Sequence, residues 1–358
     1  LQRAGFATVL IDPEVDPPPA SWGNAGHFAV EQTEPLASLA TVASAPRRLF
    51  LAGGPLDLPL RDSRAWGPFA PRFLQAAAPA RFEAGKAALT GLLAAAMPAW
   101  RRLAVDIGAG SLLREAGHYV VWESSAAAAR GAAAWAQNDA ATAPFRAASR
   151  DETASLQAMI RTPVAGAIRF EHSGQIADLP ALRQALIAAF EKEGGERRQS
   201  MVTRLDVSKG APRVIDRDGG EHAGDIVLVA AGVGARALLA PLGHKAPVIA
   251  ERGYHIEAKA ETWPRAFPPV AFEERAVIAT RFERTLRLAS FVEFARPESP
   301  PDRRKWARLR RHAEAIGLPF DEAPREWMGA RPTLPDYLPA IGASRAAPDL
   351  LYAFGHQH

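Results

Sequence analysis

Hydrophobic residues recur at helical spacing in three parts of the chain. Residues 69–105 are rich in Ala and carry Leu, Phe, Trp and Met at helical intervals, which predicts two or three helices. Residues 162–196 predict a strand, a turn and an amphipathic helix that ends at two glycines. In 303–316 apolar residues alternate with Arg and Lys at helical spacing, so we expect an amphipathic helix with a basic, solvated face.

Two apolar strands flank the first and second of these helical regions. The opening residues 1–14 predict the last turn of a helix, a Gly that ends it, a short buried strand at 7–11 and an acidic residue after the strand. The run DIVLVAAG at 225–232 is apolar from its second residue onward. Such a run is typical of a central parallel strand that is buried on both faces.

Among the other strand patterns, the block 246–294 is antiparallel in character. Residues 201–216 predict two strands, DRDGGE predicts a hairpin turn, and 246–294 alternate between apolar and polar residues. Residues 112–124 predict a helix, a Gly stop and a strand. Helical and parallel-strand signals therefore fall in three blocks with antiparallel signals between them. This order predicts an α/β fold in which a doubly wound, Rossmann-like nucleotide-binding domain contains an inserted domain with a mixed or antiparallel sheet.

Composition excludes several classes of protein. The 358 residues are 48% hydrophobic and 23% charged, which is typical of a globular chain of about two domains. The net charge is +4, but the Arg residues are scattered among Asp and Glu, so nucleic-acid binding is not expected. The chain has no Cys, which excludes disulfides, thiolate catalysis and Cys-ligated metal centres within it.

The ends and the hydropathy of the chain give an expectation of location. No segment approaches the length of about 18 apolar residues that spans a bilayer, and no signal-peptide pattern begins the chain. We expect a cytoplasmic protein, with peripheral contact at the inner membrane left open. The chain starts at Leu1 and stops at His358, and we expect both ends to be truncated.

Small and acidic residues at strand ends indicate a nucleotide site. Asp12 follows the strand ATVLI, where a carboxylate can accept hydrogen bonds from both hydroxyls of an adenosine ribose. The loop from Pro13 to Phe28 contains SWGNAGH, whose small residues and backbone N–H groups let a cofactor approach closely. VLVAAGVGA, starting at Val227, supplies a second small-residue strand end. Asp12 alone would be a weak signal, because any exposed strand end can carry an Asp.

Taken in order, these motifs resemble the FAD-dependent D-amino-acid dehydrogenase and oxidase family. The resemblance covers essentially the whole chain and is strongest to the bacterial D-amino-acid dehydrogenases, including D-hydroxyproline dehydrogenases. It rests on Asp12 and on the motifs SWGNAGH, VLVAAGVGA, ERGYHIE, LRLASFVEF, GARPTLPDYLPAIG and YAFGHQH. The resemblance implies FAD as the cofactor. It also implies a cofactor-binding domain formed by 1–115, 174–245 and 325–358 and a substrate-binding domain formed by 116–173 and 246–324.

The family's functional residues map onto matching positions here. Asp12 would hold the adenosine ribose, and Val202 would meet the adenine through its backbone. The flavin side would be lined by Ser21, Asn24, Ala25 and Gly26. Ala231 and Gly232 would pack near the cofactor, and Gly355 and His356 would begin the loop beside the flavin ring. The family's Gly-x-Gly-x-x-Gly loop and the Gly-rich turn after its Gly-His-x-His motif have no match, and we expect the phosphate loop to lie upstream of Leu1. Ser290 stands where the family usually has Gly.

The resemblance gives Arg331 to the substrate carboxylate, and the residue type agrees, because the Arg fork can hold both carboxylate oxygens. Pro332 favours an extended backbone at Arg331, which aims its side chain. The structural alternative is an ion pair with a carboxylate such as Asp336. Tyr254 is a candidate second donor to the substrate, with a place in the core as its alternative.

Four histidines raise the alternative of a metal site: His27, His255, His356 and His358. His356 and His358 alternate as two ligands on a strand would. We predict no metal site, because neither has an acidic residue near it in the sequence and metal sites usually have three protein ligands. We expect His356 to act as a hydrogen-bonding wall beside the flavin or substrate.

The resemblance implies oxidative deamination of a D-amino acid by hydride transfer to flavin N5, giving an imine or a 2-oxo acid. A D-proline or D-hydroxyproline type of substrate and a quinone or another electron acceptor are the implied partners. Two alternatives stay open: an oxygen-using oxidase of glycine or sarcosine, and a degenerate chain that binds flavin without catalysis.

Overall fold

The structure is a computed structural model that describes residues 1–13, 19–137, 142–208, 211–345 and 347–357. The α-helices in these ranges are α1 (Leu39–Arg48), α2 (Ser63–Trp66), α3 (Ala70–Ala76), α4 (Pro79–Asp106), α5 (Ser125–Gln137), α6 (Arg150–Met159), α7 (Leu179–Lys192), α8 (Ala235–Leu239) and α9 (Arg303–Ile316). Short 3₁₀ turns lie at Gln2–Ala4, Phe50–Ala52, Leu60–Asp62, Gly110–Leu112, Gly232–Gly234, Ala240–Leu242 and Glu273–Arg275.

Many of the strands in these ranges are short. The first ten are β1 (Val9–Ile11), β2 (His27–Phe28), β3 (Leu56–Asp57), β4 (Leu113–Arg114), β5 (His118–Trp122), β6 (Phe145–Ala147), β7 (Gly166–Phe170), β8 (Gly174–Ile176), β9 (Glu196–Arg198) and β10 (Val202–Asp206). The others are β11 (Arg213–Asp216), β12 (Glu221–Ala223), β13 (Val227–Val229), β14 (Ile249–Ala258), β15 (Val270–Phe272), β16 (Val277–Arg281), β17 (Leu286–Ala295), β18 (Arg325–Thr333), β19 (Ala340–Ala343) and β20 (Leu350–Phe354).

One large mixed sheet dominates the described chain. Its strand order is β18-β14-β17-β16-β15-β5-β7-β6, and β3 pairs with Val292 and Glu293 of β17. Most pairs are antiparallel, whereas β15 runs parallel to β5 and β3 runs parallel to β17. Helix α9 covers this sheet with Trp306, Leu309 and Ile316, all of which are buried in the main hydrophobic core. The antiparallel strands expected in 246–294 and the helix expected at 303–316 are therefore confirmed. Lys305, expected on a solvated basic face, is instead fully buried, because it pairs with Asp57 and Glu293.

Small sheets surround the large one. Strands β10, β11 and β12 form an antiparallel sheet that contains the predicted hairpin. In a second sheet β20 is the central strand, with β13 parallel to it on one side and β19 on the other. In a third sheet β8 pairs with β2 and β4. Strand β1 pairs in parallel with β9. The segment expected to be helical before Gly117 is instead a 3₁₀ turn followed by β4, because its residues pair with β8.

The two strands expected to be buried are more exposed than predicted. In β1, Val9 and Leu10 are 44% and 45% exposed, because in the described ranges this strand has a neighbour only on the β9 side. Strand β13 is parallel as predicted, but among the described residues it lies at the edge of its sheet, and Leu228 is 42% exposed. An apolar run therefore indicates a strand without fixing whether both faces are covered.

The helices at 70–76 and 79–106 confirm the helical region predicted at 69–105. None of the helices in the described ranges combines the length and hydropathy of a membrane span. Strands β3 and β18 lie in segments assigned to the cofactor domain, yet both pair with the large sheet. The domain boundaries stay a prediction.

Candidate cofactor and substrate site

Several of the predicted site residues lie on strand β18 or next to it. Trp327, Gly329 and Arg331 occupy alternate positions of this strand and therefore share one face. A Cβ atom at Gly329 would lie 2.0 Å from the Trp327 ring, so only Gly leaves room for the indole there. Gly253 lies opposite Gly329 on β14 and also has no side chain, and a Cβ at this position would contact the Arg331 guanidinium at 3.5 Å.

Arg331 is held by its cross-strand partner. Glu251 lies directly opposite Arg331 in the β14–β18 ladder, and its Oε1 is 2.8 Å from Nη2 of Arg331. The other oxygen of Glu251 accepts hydrogen bonds from Thr333 Oγ1 at 3.0 Å and from Tyr337 Oη at 2.9 Å. The structural carboxylate beside Arg331 is thus Glu251 rather than Asp336. The Arg331 side chain remains 37% exposed, so part of its fork can reach a ligand.

A β-bulge supplies a second contact to Arg331. The pairing of β14 with β17 shifts between Arg252 and Tyr254, so that Phe291 and Val292 share one position opposite Gly253. Phe291 adopts φ 75°, and its carbonyl accepts a hydrogen bond of 2.9 Å from Arg331 Nη2. One nitrogen of the guanidinium is therefore fixed by both a carboxylate and a carbonyl.

The loop Ser21–Gly26 is stabilised by its own side chains. Asn24 Nδ2 donates to the Ser21 carbonyl at 2.8 Å, and Asn24 Oδ1 accepts from the Gly26 N–H at 2.6 Å. Gly26 has φ 69°, and a Cβ there would lie 2.5 Å from the Phe282 ring. The predicted small residues are thus required by the shape of the loop.

This loop lies against the large sheet beside β18. His255 Nδ1 is 2.9 Å from the Gly23 carbonyl, and the His255 ring stacks on Trp327 with centroids 4.7 Å apart. Arg287 donates to the carbonyl of Asn24. Burial, together with the charge of Arg287, lowers the pKa of His255 well below its usual value, so this imidazole is neutral. The structure brings the loop and the strand of Arg331 together.

Two other predicted segments reach the same strand. The 3₁₀ turn that begins at Gly232 lies next to β18, and Ala231 precedes it as an exposed residue. Gly355 has φ 84°, and a Cβ there would lie 2.6 Å from Leu334, just beyond the end of β18. His356 is exposed, and partial desolvation lowers its pKa.

Asp12 and Val202 lie in other sheets. The Asp12 N–H donates to the carbonyl of Arg198 at 3.1 Å, which continues the β1–β9 pairing. The Asp12 side chain is exposed at the strand end; partial desolvation raises its pKa, against the nearby positive charges of Arg183 and Arg197. Val202 begins β10 and packs on the hydrophobic cluster around β13. Their roles toward ribose and adenine stay predictions.

Tyr254 lies inside the core. It is 1% exposed, and its hydroxyl donates to Glu293 Oε2 at 2.7 Å. The same hydroxyl accepts from the Asp302 N–H at 3.2 Å and from Arg252 Nη2 at 3.3 Å. Burial raises the pKa of Tyr254 above its usual value, and the charge of Glu293 adds to the rise. These contacts match the core alternative for Tyr254, whereas its role toward a substrate stays a prediction.

The candidate histidines from the sequence lie in different parts of the described structure. His358 lies outside the described residues, and His255 and His356 have the surroundings given above. His27 instead faces Glu31 and His118, with ligand atoms of all three within 4.8 Å of one another. His118 and Glu31 are 2% and 4% exposed, so this His–Glu–His cluster is buried.

A flavin dinucleotide fits the environment of these segments. Gly232 has φ 55°, and no described atom lies within 4 Å of the position of its missing Cβ, which leaves space beside its backbone. Gln357 Nε2 and Arg331 Nε are buried and have no hydrogen-bond partner in the described chain. Small residues with open space and unsatisfied donors are what an anionic, planar cofactor and its substrate require.

Sequence reasoning missed Glu251 and Phe291. Glu251 stands in ERGYHIE, but only the strand register shows that it opposes Arg331. The bulge that turns the Phe291 carbonyl toward Arg331 has no local sequence signal beyond a Ser at 290 where a Gly was expected. The available hint was that Glu251, His255 and Glu257 lie at alternate positions of β14 and so share one face.

The chain is similar to curated bacterial enzymes over almost its full length. It is 28% identical to a D-amino-acid oxidase of Bradyrhizobium diazoefficiens, across 99% of this chain and 86% of the relative. It is 26% identical to a D-amino acid dehydrogenase of Cereibacter sphaeroides, across 97% of this chain and 81% of the relative.

Solved structures share the fold. An iminodiacetate oxidase from Chelativorans sp. BNC1 superimposes with a TM-score of 0.69 at 16% identity, covering 100% of this chain and 85% of the other. A glycine oxidase from Geobacillus kaustophilus gives 0.69 at 17% identity, covering 98% and 82%. The family profile described as FAD dependent oxidoreductase (DAO) matches residues 1–358. Because this profile spans all 358 residues and the fold agrees, the chain belongs to this family of FAD-dependent oxidoreductases, and FAD is its cofactor.

Proposed function

We propose that the protein oxidises a D-amino acid and that Arg331 binds the carboxylate of the substrate. The observation that carries the proposal is the partly exposed guanidinium of Arg331, which Glu251 and Phe291 fix on the strand against which the loop Ser21–Gly26 packs. The names of the curated relatives, a D-amino-acid oxidase and a D-amino acid dehydrogenase, support the substrate class.

The chain's residues orient the substrate. Nη2 of Arg331 is occupied by Glu251 and Phe291, so the substrate carboxylate binds through the remaining, exposed part of the fork. Glu251 limits rotation of the guanidinium, because it is itself held by Thr333 and Tyr337. Fixing the carboxylate in this way aims the Cα–H bond in one direction, which lowers the entropic cost of reaching the reactive geometry.

FAD, when bound, accepts the two electrons released by the substrate. Asn24 holds the loop Ser21–Gly26 in the shape that would border the flavin, and neutral His255 packs beneath that loop. The product is an imine, which hydrolyses to a 2-oxo acid or stays cyclic when the substrate is a D-proline or a D-hydroxyproline. We infer that a quinone or another acceptor takes the electrons from the reduced cofactor, because several curated relatives are named dehydrogenases. The cytoplasm, with peripheral contact at the inner membrane left open, stays the expected location.

Kinetics of Arg331 variants test the proposal. Arg331→Leu should raise KM for D-amino acids by roughly 10- to 150-fold, which corresponds to about 1.5–3 kcal/mol for a hydrogen bond to a charged group. Arg331→Lys should restore part of the loss. Arg325→Leu removes an exposed Arg from the same strand and serves as the matched control. Unchanged KM in Arg331→Leu, with FAD retained, would refute the role of Arg331.

A glycine or sarcosine oxidase is the second candidate, because a glycine oxidase shares the fold. A substrate panel separates the two functions. D-proline, D-hydroxyproline, D-alanine, glycine and sarcosine would each be tested with a dye acceptor and, in parallel, for hydrogen peroxide formation. Turnover of D-amino acids with dye and little peroxide supports the dehydrogenase. Peroxide from glycine or sarcosine alone supports the oxidase, and no turnover by flavin-loaded protein supports the degenerate alternative.

A further inference from the structure

Three potential metal ligands meet where the small sheet β2-β8-β4 approaches the large sheet. His27 lies in β2, Glu31 follows in the adjacent turn, and His118 begins β5. Their side chains are 7%, 4% and 2% exposed, respectively. Two imidazoles and one carboxylate form a ligand set that binds zinc and related divalent ions.

The spacing of these groups is long for hydrogen bonds. Glu31 Oε1 lies 3.4 Å from His27 Nε2 and 3.7 Å from His118 Nε2. A typical hydrogen bond between such atoms is about 2.7–2.9 Å. Two atoms bound tetrahedrally to one Zn²⁺ at 2.0–2.1 Å are about 3.4 Å apart, so these separations approach those of ligands around a shared ion.

The cluster is also incompletely satisfied by the protein. Glu31 Oε2 and His27 Nδ1 are buried and have no hydrogen-bond partner among the described residues. A buried carboxylate without full hydrogen bonding is costly, and a bound cation would remove that cost.

The surroundings of His118 resemble those of a metal-bound imidazole. Its Nδ1 is 2.6 Å from Ser173 Oγ, which leaves Nε2 directed at Glu31. Phe170 stacks on the His118 ring with an interplanar angle of 4°, and the ring of His27 contacts its edge. A hydrogen bond from the second ring nitrogen to an oxygen and a fixed ring plane are usual features around a ligating His.

We propose that His27, Glu31 and His118 bind one divalent transition-metal ion, of which Zn²⁺ is the representative, with one coordination position left for water. Such an ion ties the turn after β2 to the first residue of β5. Because Gly26 directly precedes His27, the ion also anchors the end of the loop Ser21–Gly26. The proposed site does not depend on the identity of the oxidised substrate.

Metal binding by untagged protein, dialysed against a chelator, tests this proposal. Titration calorimetry with Zn²⁺ should show one ion per chain. Glu31→Gln and His118→Gln should each weaken binding at least tenfold, and Ser173→Ala by about 10- to 100-fold through the orientation of His118. His222→Gln is the matched control, because His222 pairs with Asp216 at 2.9 Å and is not part of this cluster. It should bind zinc like the parent protein.

A second measurement is independent of the variants and of their folding. X-ray absorption of the zinc-loaded parent protein should show nitrogen and oxygen ligands at about 2.0–2.1 Å with the scattering of two imidazoles. Absence of a stoichiometric zinc site, a shell without imidazoles, or equal weakening by His222→Gln would overturn the proposal. The cluster would then be a buried ion pair of Glu31 with two histidines.

Discussion

Removing the hydroxyl of Tyr254 separates its two assigned roles. In Tyr254→Phe the hydrogen bond to Glu293 and the two bonds accepted from Asp302 and Arg252 are lost, while the ring remains in the core. Glu293 is fully buried, and it keeps contacts to Arg252 and to Lys305 Nζ at 2.6 Å. The substitution thus removes three hydrogen bonds from a buried network without removing a charged group.

The size of the effect follows from these contacts. Loss of a hydrogen bond to a buried charged group costs about 1.5–3 kcal/mol, and the remaining contact with Lys305 keeps Glu293 from being left unpaired. We therefore expect the free energy of unfolding of Tyr254→Phe to fall by about 2 kcal/mol. The ring is 1% exposed, so the core position predicts a change in kcat/KM of less than about twofold.

Urea denaturation followed by Trp fluorescence measures the stability, and a D-amino acid assay with a dye acceptor measures kcat/KM. Tyr352→Phe, at a half-buried position on β20, is the control for loss of a tyrosine hydroxyl. The assignment of Tyr254 to the substrate site predicts the reverse pattern: intact stability with kcat/KM reduced tenfold or more. That pattern would refute the structural reasoning.

Three further predictions concern the site and the pH dependence of stability. Gly23→Ala places a Cβ 2.1 Å from the Trp327 ring, so it should lower the free energy of unfolding by about 1–3 kcal/mol and reduce the flavin retained on purification. Gly91→Ala, which has open space around its Cβ, is the control and should change neither quantity. Equal flavin content in both variants would contradict the prediction. Glu251→Gln should raise KM severalfold with little change in kcat, because Arg331 loses its orienting carboxylate; a lower kcat at constant KM would disagree. Burial and the positive charges of Arg275 and other arginines lower the pKa of His312 to about 4. Its imidazole therefore stays neutral in the fold, whereas the unfolded chain binds a proton below about pH 6.5. Because the residue is only partly buried and solvent screening weakens the effect, the parent should lose about 1 kcal/mol of stability between pH 7.5 and 5 at this residue. Urea denaturation at both pH values should show no such loss in His312→Gln.

Local patterns predicted much of the fold. The helix Arg303–Ile316 begins after Asp302, whose side chain caps it, and ends at Gly317 with φ 81°. Local residues therefore predict its start, its periodicity and its end. The exposure of β1 and β13 was not predictable in this way. Burial of a strand depends on neighbours that come from distant parts of the chain, and an apolar run does not name them.

The site was predictable in its residue types and less so in its contacts. Arg331 and the loop Ser21–Gly26 were identified from motif order, and the structure brings both to β18. The ion-pair partner of Arg331 was not identifiable from the sequence, because the strand register places Glu251 opposite Arg331, whereas Asp336 is only nearer in sequence. His27 and Glu31 are close in sequence, but His118 joins them only through the packing of β5 against the small sheet.

The ladder between β14 and β18 runs without a bulge from Ile249 opposite Thr333 to Glu257 opposite Arg325. Arg331 owes both its carboxylate partner and its outward direction to that register, since a slip of one residue would turn it to the other face. A chain with that slip would expose the core-facing side of β18 and would lack the ion pair between Arg331 and Glu251. Correct pairing of these two strands during folding therefore decides both the stability of the sheet and the position of Arg331 at the proposed site.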